Sequence, residues 1–311
     1  MKHPLIIDCD PGVDDAVGLL LALASEDLEL LAITTVGGNV SGEKTARNAR
    51  ILRQIVGRAD VPVYAGAERP LKREPAWAGE FHGEEGLGDL VPFEPELGLG
   101  EGSAVEAIVR LVMARTPGTV TLAVMGPMTN LALALQAEPR LAGHLKQVVA
   151  MGGARSEGGN ITASAEFNIW ADPEAAADVL ASEVRVVMMG LDVTHQVRAT
   201  EARIAAFERF EGASARAAAS VLRFSQGVER RIVRGDASPL HDPCTVAYVI
   251  DESLFELRPC QIGVETVSDL TRGHTAVEFR IDPATARHFW GVKADAGAIF
   301  DLMSTRIGAA Q

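Results

Sequence analysis

Asp8, Asp10, Asp14 and Asp15 place four carboxylates within eight residues, directly behind the apolar run Leu5-Ile6-Ile7. Carboxylates crowded at this density repel one another unless a hard cation, a shared proton or hydrogen-bond donors offset the charge. One or two of them could serve as helix caps, since Asp accepts from free backbone N–H groups and complements the helix dipole. Four exceed what capping requires, and a divalent cation bound through oxygen is the simplest resolution.

Two known carboxylate patterns can be tested against the spacing. Counted from Asp8, an EF-hand loop would need its glycine and its bidentate Glu where this chain has Val13 and Leu19, so that reading fails. A haloacid-dehalogenase-like phosphatase begins with a strand and Asp-x-Asp, which would make Asp8 a nucleophile. That pattern usually carries Thr or Val at Gly12, and it needs a downstream Lys, of which the chain has five, none in a convincing loop. It remains the alternative enzyme class.

The acids must be positioned by regular elements. The apolar run before Asp8 reads as a buried strand and Val17 to Ala24 as a helix, so the carboxylates sit in the turn between them. In a parallel sheet that turn lies at the carboxyl edge, where ligands bind. Leu28 to Val36 and Val61 to Ala65 read as the next strands, with a helix over Glu43 to Val56 between them. Strand–helix alternation predicts an α/β fold: an open, mostly parallel, Rossmann-like sheet flanked by helices with right-handed crossovers. Asn39 follows the second strand at the same edge. From Glu68 to Gly102 periodicity is lost around Trp77, Phe81 and His82, which suits a lid over a planar ligand.

Ala104 to Ala114, Leu131 to Gln136 and Asp172 to Ala181 read as helices, and Val120 to Val124, Val148 to Met151 and Val184 to Met189 as strands. The irregular stretch after Met151 holds Asn160, Glu166 and Asn168, groups suited to hydroxyl-rich ligands. Thr200 to Arg234 reads as a small helical cap, Cys244 to Ile250 as a helix opened by Asp242, Gln261 to Phe279 as a hairpin, and Ala284 to Ile307 as helices. The chain is expected to form one domain over residues 1–311.

Composition narrows the function. A net charge of −13 argues against nucleic acid and anionic membranes, both of which require clustered Lys and Arg. Hydrophobic residues make up 47% of the chain, ample for a large core. The opening apolar run is too short for a signal peptide, and no apolar stretch is long enough to span a bilayer, so a cytoplasmic protein is expected. Cys9, Cys244 and Cys260 are widely spaced and indicate neither a disulfide framework nor a zinc site.

Seven blocks together resemble the nucleoside hydrolases that include the inosine–uridine-preferring enzymes. They are Asp8 to Ala16, Thr34 to Val40, His82 to Gly88, Gly126 to Asn130, Met151 to Gly153, Glu166 to Asn168 and His241 to Pro243. The family's usual Thr in the first block is replaced by Cys9. The resemblance implies hydrolysis of the N-glycosidic bond of ribonucleosides with a bound Ca2+, and relatives that are commonly dimers or tetramers, hence a homodimer or homotetramer here. It implies metal ligands at Asp10, Asp15, Asp242 and the carbonyl of Met125. Ribose would be held by Asp14, Asn39, Asn160, Glu166 and Asn168, with Met151 packing on the sugar. Asp10 is the candidate base, His241 the candidate donor to the departing base, and His82 a candidate base contact. Specificity should depend on the Trp77 to His82 flap and on Phe224 to Arg234, which offers Phe224, Gln226, Glu229 and Arg230 but no Tyr. That scarcity of aromatic groups favours pyrimidine nucleosides or broad specificity, and a non-catalytic nucleoside- or Ca2+-binding protein is the third reading beside the hydrolase and the phosphatase.

Overall fold

The computed structural model describes residues 2–310. Its strands are β1 (His3–Cys9), β2 (Leu28–Thr35), β3 (Val63–Ala65), β4 (Val120–Val124), β5 (Leu145–Met151), β6 (Val186–Met189), β7 (Arg198–Ala199), β8 (Ser238–Pro239), β9 (Phe255–Val264), β10 (Thr275–Glu278) and β11 (His288–Ala294). Nine of them form one sheet in the order β10-β9-β11-β6-β5-β4-β1-β2-β3, parallel except where β9 runs against β11 and β10. The pair β7 and β8 forms a separate ribbon.

Helices α1 (Val13–Ala24), α2 (Gly42–Ile55), α3 (Gly79–His82), α4 (Ala104–Met113), α5 (Thr129–Ala137), α6 (Leu141–His144), α7 (Phe167–Ala171), α8 (Pro173–Ala181), α9 (Leu191–Thr194), α10 (Glu201–Phe207), α11 (Ala213–Val228), α12 (Pro243–Ile250) and α13 (Ala296–Ala309) complete the fold. Strand side chains alternate between faces. Leu5, Ile7 and Cys9 therefore join a core built with α1, α2 and α10 to α13, while Ile6 joins one built with α4, α5 and α8. The predicted cap is thus packed into the first helical layer, where α11 lies against α1. No helix among the described residues is long and apolar enough to cross a membrane.

One expectation is overturned. His288–Ala294 is a strand, pairing parallel with β6 and antiparallel with β9, where helix was predicted. Phe289, Trp290 and Val292 are strand formers, and Trp290 is fully buried between the sheet and its helices. The predicted hairpin is present as β9 and β10, although β9 starts earlier, at Phe255.

The connectivity fixes where a ligand can bind. From β1 the chain moves outward through β2 and β3, then returns to lay β4 on the other side of β1. Crossovers leave β1 and β4 in opposite directions, so their carboxyl ends flank an open crevice, the topological switch point of an α/β sheet. Asp8 pairs in register with Thr34 and Val124. Asp10, Val36 and Met125 consequently emerge side by side at that crevice.

Candidate active site

The crevice opens into a cavity of about 630 Å³ lined by residues from every segment singled out in the sequence: Asp14, Asn39, His82, Met125, Met151, Asn160, Glu166, Asn168, His241 and Asp242. Asp10 and Asp15 are fully buried beside it. All twelve predicted site residues are therefore brought together, although they span more than two hundred positions of sequence.

The turn after β1 is held by its own backbone. Asp15 accepts from the N–H groups of Asp10 at 3.2 Å and Gly12 at 3.0 Å, closing the start of α1. Asn39 braces the same turn: its N–H donates to Asp10 Oδ2 at 2.7 Å and its Nδ2 to Asp15 Oδ2 at 3.0 Å. Asp10 sits in a cradle that side chains would fill, since a Cβ on Gly38 or Gly126 would come within 2.1 and 2.4 Å of its two carboxylate oxygens. The remaining oxygen, Asp10 Oδ1, is buried without a hydrogen-bond partner.

Asp14, Asp15 and Asp242 converge so that one oxygen from each lies within 4.8 Å of the others. Asp14, predicted to bind sugar, thus belongs to the tightest carboxylate group, and Asp10 flanks it. Asp242 is the N-cap of α12 as predicted, but its side chain makes no capping bond and turns to Asp15 instead. Burial, then the neighbouring carboxylates, push Asp10 and Asp242 well above the usual range, and Asp15 rises to about 7. Buried, converging carboxylates beside an orphaned Asp10 oxygen fit a hard, oxygen-seeking cation. The cluster could hold a metal ion.

Glu166, Asn168 and Asn160 are locked by their surroundings. Glu166 caps α7, accepting from Asn168, Ile169 and Gly153 N–H groups at 2.9, 3.2 and 3.0 Å, yet burial still lifts its carboxyl to about 7. Asn168 Nδ2 donates to the Met125 carbonyl at 2.7 Å, which leaves that oxygen one further lone pair. Asn160 uses Oδ1 on the Phe167 N–H at 2.9 Å.

Both candidate histidines are half-buried and held below the usual imidazole range. His82 Nδ1 accepts from the Val13 N–H at 3.1 Å, so its proton resides on Nε2; burial lowers its pKa, with Asp14 opposing. His241 Nδ1 lies 2.8 Å from Thr194 Oγ1, and burial pushes its pKa down to about 4.

These directions predict a pH dependence for the cation-free protein. A carboxyl that titrates higher when folded contributes stability that is fully present below its unfolded pKa and lost as pH rises through the folded one. With Asp8 at about 6 and Asp15 and Glu166 at about 7, that loss spans roughly pH 4 to 8. The lowered imidazoles act oppositely, losing stability as pH falls below about 6.5, but the raised carboxyls outnumber them. The melting temperature of chelator-treated protein should fall between pH 5 and 8; a rise would contradict the assignment.

Asp8 corrects the phosphatase alternative. It is fully buried, Thr34 Oγ1 and Asn130 Nδ2 donate to its Oδ1 at 2.6 and 2.8 Å, and it does not line the cavity, so it is not placed as a nucleophile. The flap does contribute Trp77, Phe81 and His82. Of the four groups offered by Phe224 to Arg234, only Glu229 lines the cavity; Phe224 packs over Gly88 instead. His195, Arg198 and Ser238 also line it. His195 was visible only as a polar residue beyond a strand, and nothing in the spacing of Arg198 or Ser238 signals a site.

An open, mostly parallel sheet with buried carboxylates gathered beside a cavity at its switch point defines an α/β protein with a ligand site at the carboxyl edge of its sheet. Residues 5–301 match the family described as inosine-uridine preferring nucleoside hydrolase, and the chain belongs to it. It is 40% identical over 308 residues to the inosine-uridine preferring nucleoside hydrolase of Crithidia fasciculata, covering 95% of this chain and 98% of that one. It is 39% identical over 303 residues to the pyrimidine-specific ribonucleoside hydrolase RihA of Shewanella woodyi, covering 97% and 94%. Among solved structures, a purine-preferring ribonucleoside hydrolase from Gardnerella vaginalis superposes with a TM-score of 0.92 at 30% identity over 99% of both chains.

Proposed function

We propose that this chain, acting as one domain, is a Ca2+-dependent ribonucleoside hydrolase that releases ribose and free base in nucleoside salvage. The observation that carries this reading is the carboxylate group at the switch point beside a cavity sized for a nucleoside. Asp10, Asp15, Asp242 and the Met125 carbonyl would hold the cation, Asp10 being preferred over Asp14 because its Oδ1 is buried and unpartnered. When bound, Ca2+ would offset the carboxylate charge, anchor ribose hydroxyls and acidify a water.

The chain's own groups supply the rest. Asp14, Asn39, Asn160, Glu166 and Asn168 hold ribose, and Met151 packs on the sugar. As the C1′–N bond breaks, positive charge builds on the sugar and the surrounding carboxylates stabilise it. Asp10 takes the proton of the water whose oxygen bonds to C1′, and the bonding pair leaves with the base. Burial favours the uncharged ring of His241 in the free protein; Asp14 and the negative charge growing on the departing base favour its taking up a proton from solvent, which it passes to the departing nitrogen. His82, its Nε2–H fixed by Val13, contacts the base.

The wall supplied by α11 and the turn after it carries Ser225, Val228, Glu229 and Val233 and no aromatic ring. That composition favours pyrimidine or broad specificity, with Trp77, Phe81 and Phe167 as apolar surfaces for the base.

A panel of nucleosides and p-nitrophenyl phosphate, with and without chelator, tests the reading. Nucleosides should be cleaved, chelation should abolish cleavage, and the phosphate ester should be inert. Metal analysis should find about one Ca2+ per chain. Full occupancy by zinc or magnesium without calcium would overturn the cation assignment.

A further inference from the structure

One wall of the cavity comes from the end of α11 and the stretch behind it. There the helix widens into a single π-turn over Glu229–Val233, and Arg234 closes it in a left-handed conformation with φ of 65°. A widened turn re-aims the side chains around it, which is one reason such turns gather at functional sites. Glu229 opens this turn and lines the cavity while remaining only 8% exposed.

Burying a carboxylate without donors is costly. Among the described residues, however, the Glu229 carboxylate accepts no hydrogen bond. Arg198 Nη1 stands 3.8 Å away, and Arg198 spends Nε on the His195 carbonyl and Nη1 on the Ala237 carbonyl, each at 3.0 Å. Space has also been cleared for the carboxylate, because a Cβ on Gly235 would come within 2.2 Å of Glu229 Oε1. The wall thus keeps an open acceptor facing the cavity. The sugar is accounted for by the carboxylates and amides around β1, β4 and β5, so the group left to meet Glu229 is the base.

We infer that Glu229 accepts a hydrogen bond from the base, so that the site favours ribonucleosides bearing an exocyclic amino group, cytidine over uridine and adenosine over inosine. The inference rests on the nucleoside hydrolase reading and sharpens it. Cytosine and adenine present an amino donor where uracil and hypoxanthine present a carbonyl. An ionised carboxylate only accepts, so it binds the amino group and meets the carbonyl lone pair against lone pair. Ring N–H groups of uracil and hypoxanthine can still donate, which makes the preference graded rather than absolute. If Glu229 served only to hold the turn through Arg198, its loss would reduce activity on all four nucleosides alike.

The test is kcat/KM for the cytidine/uridine and adenosine/inosine pairs in the wild type, Glu229→Ala and Gly235→Ala. Glu229→Ala should lower the amino-to-oxo ratio of the better-cleaved pair by about tenfold or more, the usual loss when a charged hydrogen-bond acceptor is removed. Gly235→Ala, which forces the carboxylate aside, should lower the ratio in the same direction and carries the test if Glu229→Ala does not fold. Ratios unchanged in the folded variants would overturn the role of Glu229, even with overall activity reduced. A wild type that cleaves none of the four nucleosides would instead bring down the hydrolase reading itself, and this inference with it.

Discussion

Asp10→Ala is expected to reduce nucleoside hydrolysis by more than about 10³-fold, combining loss of a general base with loss of a cation ligand. The fold should survive. Asp10 is buried among other acids, and removing it relieves like-charge crowding even as it leaves the Asn39 N–H without its acceptor. Asp10→Asn separates the two contributions, because the amide oxygen can still accept from Asn39 while the charge is gone. Both variants should melt as cooperative folded proteins, and both should bind Ca2+ more weakly than the wild type in a direct titration. Near-normal turnover in either folded variant would move the base to another group. Normal Ca2+ binding with lost turnover would leave Asp10 as base and transfer its ligand role to Asp14, which already lies in the tight carboxylate group.

The legibility of this site in the sequence followed how locally its chemistry is written. Asp8 to Asp15 could be read because four acids in one turn conflict with one another wherever the chain goes, and the apolar run before them requires a strand. Asn39 and Met125 could be placed at the same edge because each follows a strand of a parallel sheet. What could not be read was which acid does what. Asp8 and Asp10 are two residues apart, yet Thr34 and Asn130 hold Asp8 within β1, away from the cavity lining, while Asn39 and the Gly38 and Gly126 cradle hold Asp10 in the turn beyond the strand. Those partners come from β2, the turn behind it, the β4–α5 turn and the start of α5, and only tertiary pairing brings them in. The same holds for His195, Arg198 and Glu229, which reach the cavity from α9, the β7–β8 ribbon and a π-turn whose irregularity has no sequence period. The strand β11 was hidden differently: Phe289, Trp290 and Val292 lie between polar and small residues common in helices, and only pairing with β6 and β9 selects the extended form.

His241→Ala should depress turnover on natural nucleosides by roughly 10² to 10⁴-fold, the range of general acid catalysis. Its effect on p-nitrophenyl riboside should be far smaller, because that leaving group departs without protonation. Burial holds the ring near a pKa of 4 in the free protein, so it is not a standing acid at neutral pH. Its proton must be favoured by charge that develops during bond cleavage, and a substrate whose leaving group needs no proton bypasses that requirement. Thr194 Oγ1, 2.8 Å from Nδ1, holds the ring in place, so Thr194→Val should show the same substrate dependence with a smaller loss. The competing role is positional: His241 precedes Asp242 at the start of α12, and truncating it could shift the carboxylate that meets Asp15. In that case Ca2+ affinity would weaken and both substrates would suffer alike. Equal losses on the two substrates would therefore sink the acid role, whereas a selective loss with unchanged Ca2+ binding places the imidazole at the leaving group. Full activity of His241→Ala on both would instead point to His82, whose Nε2–H is already fixed by the Val13 N–H, as the donor.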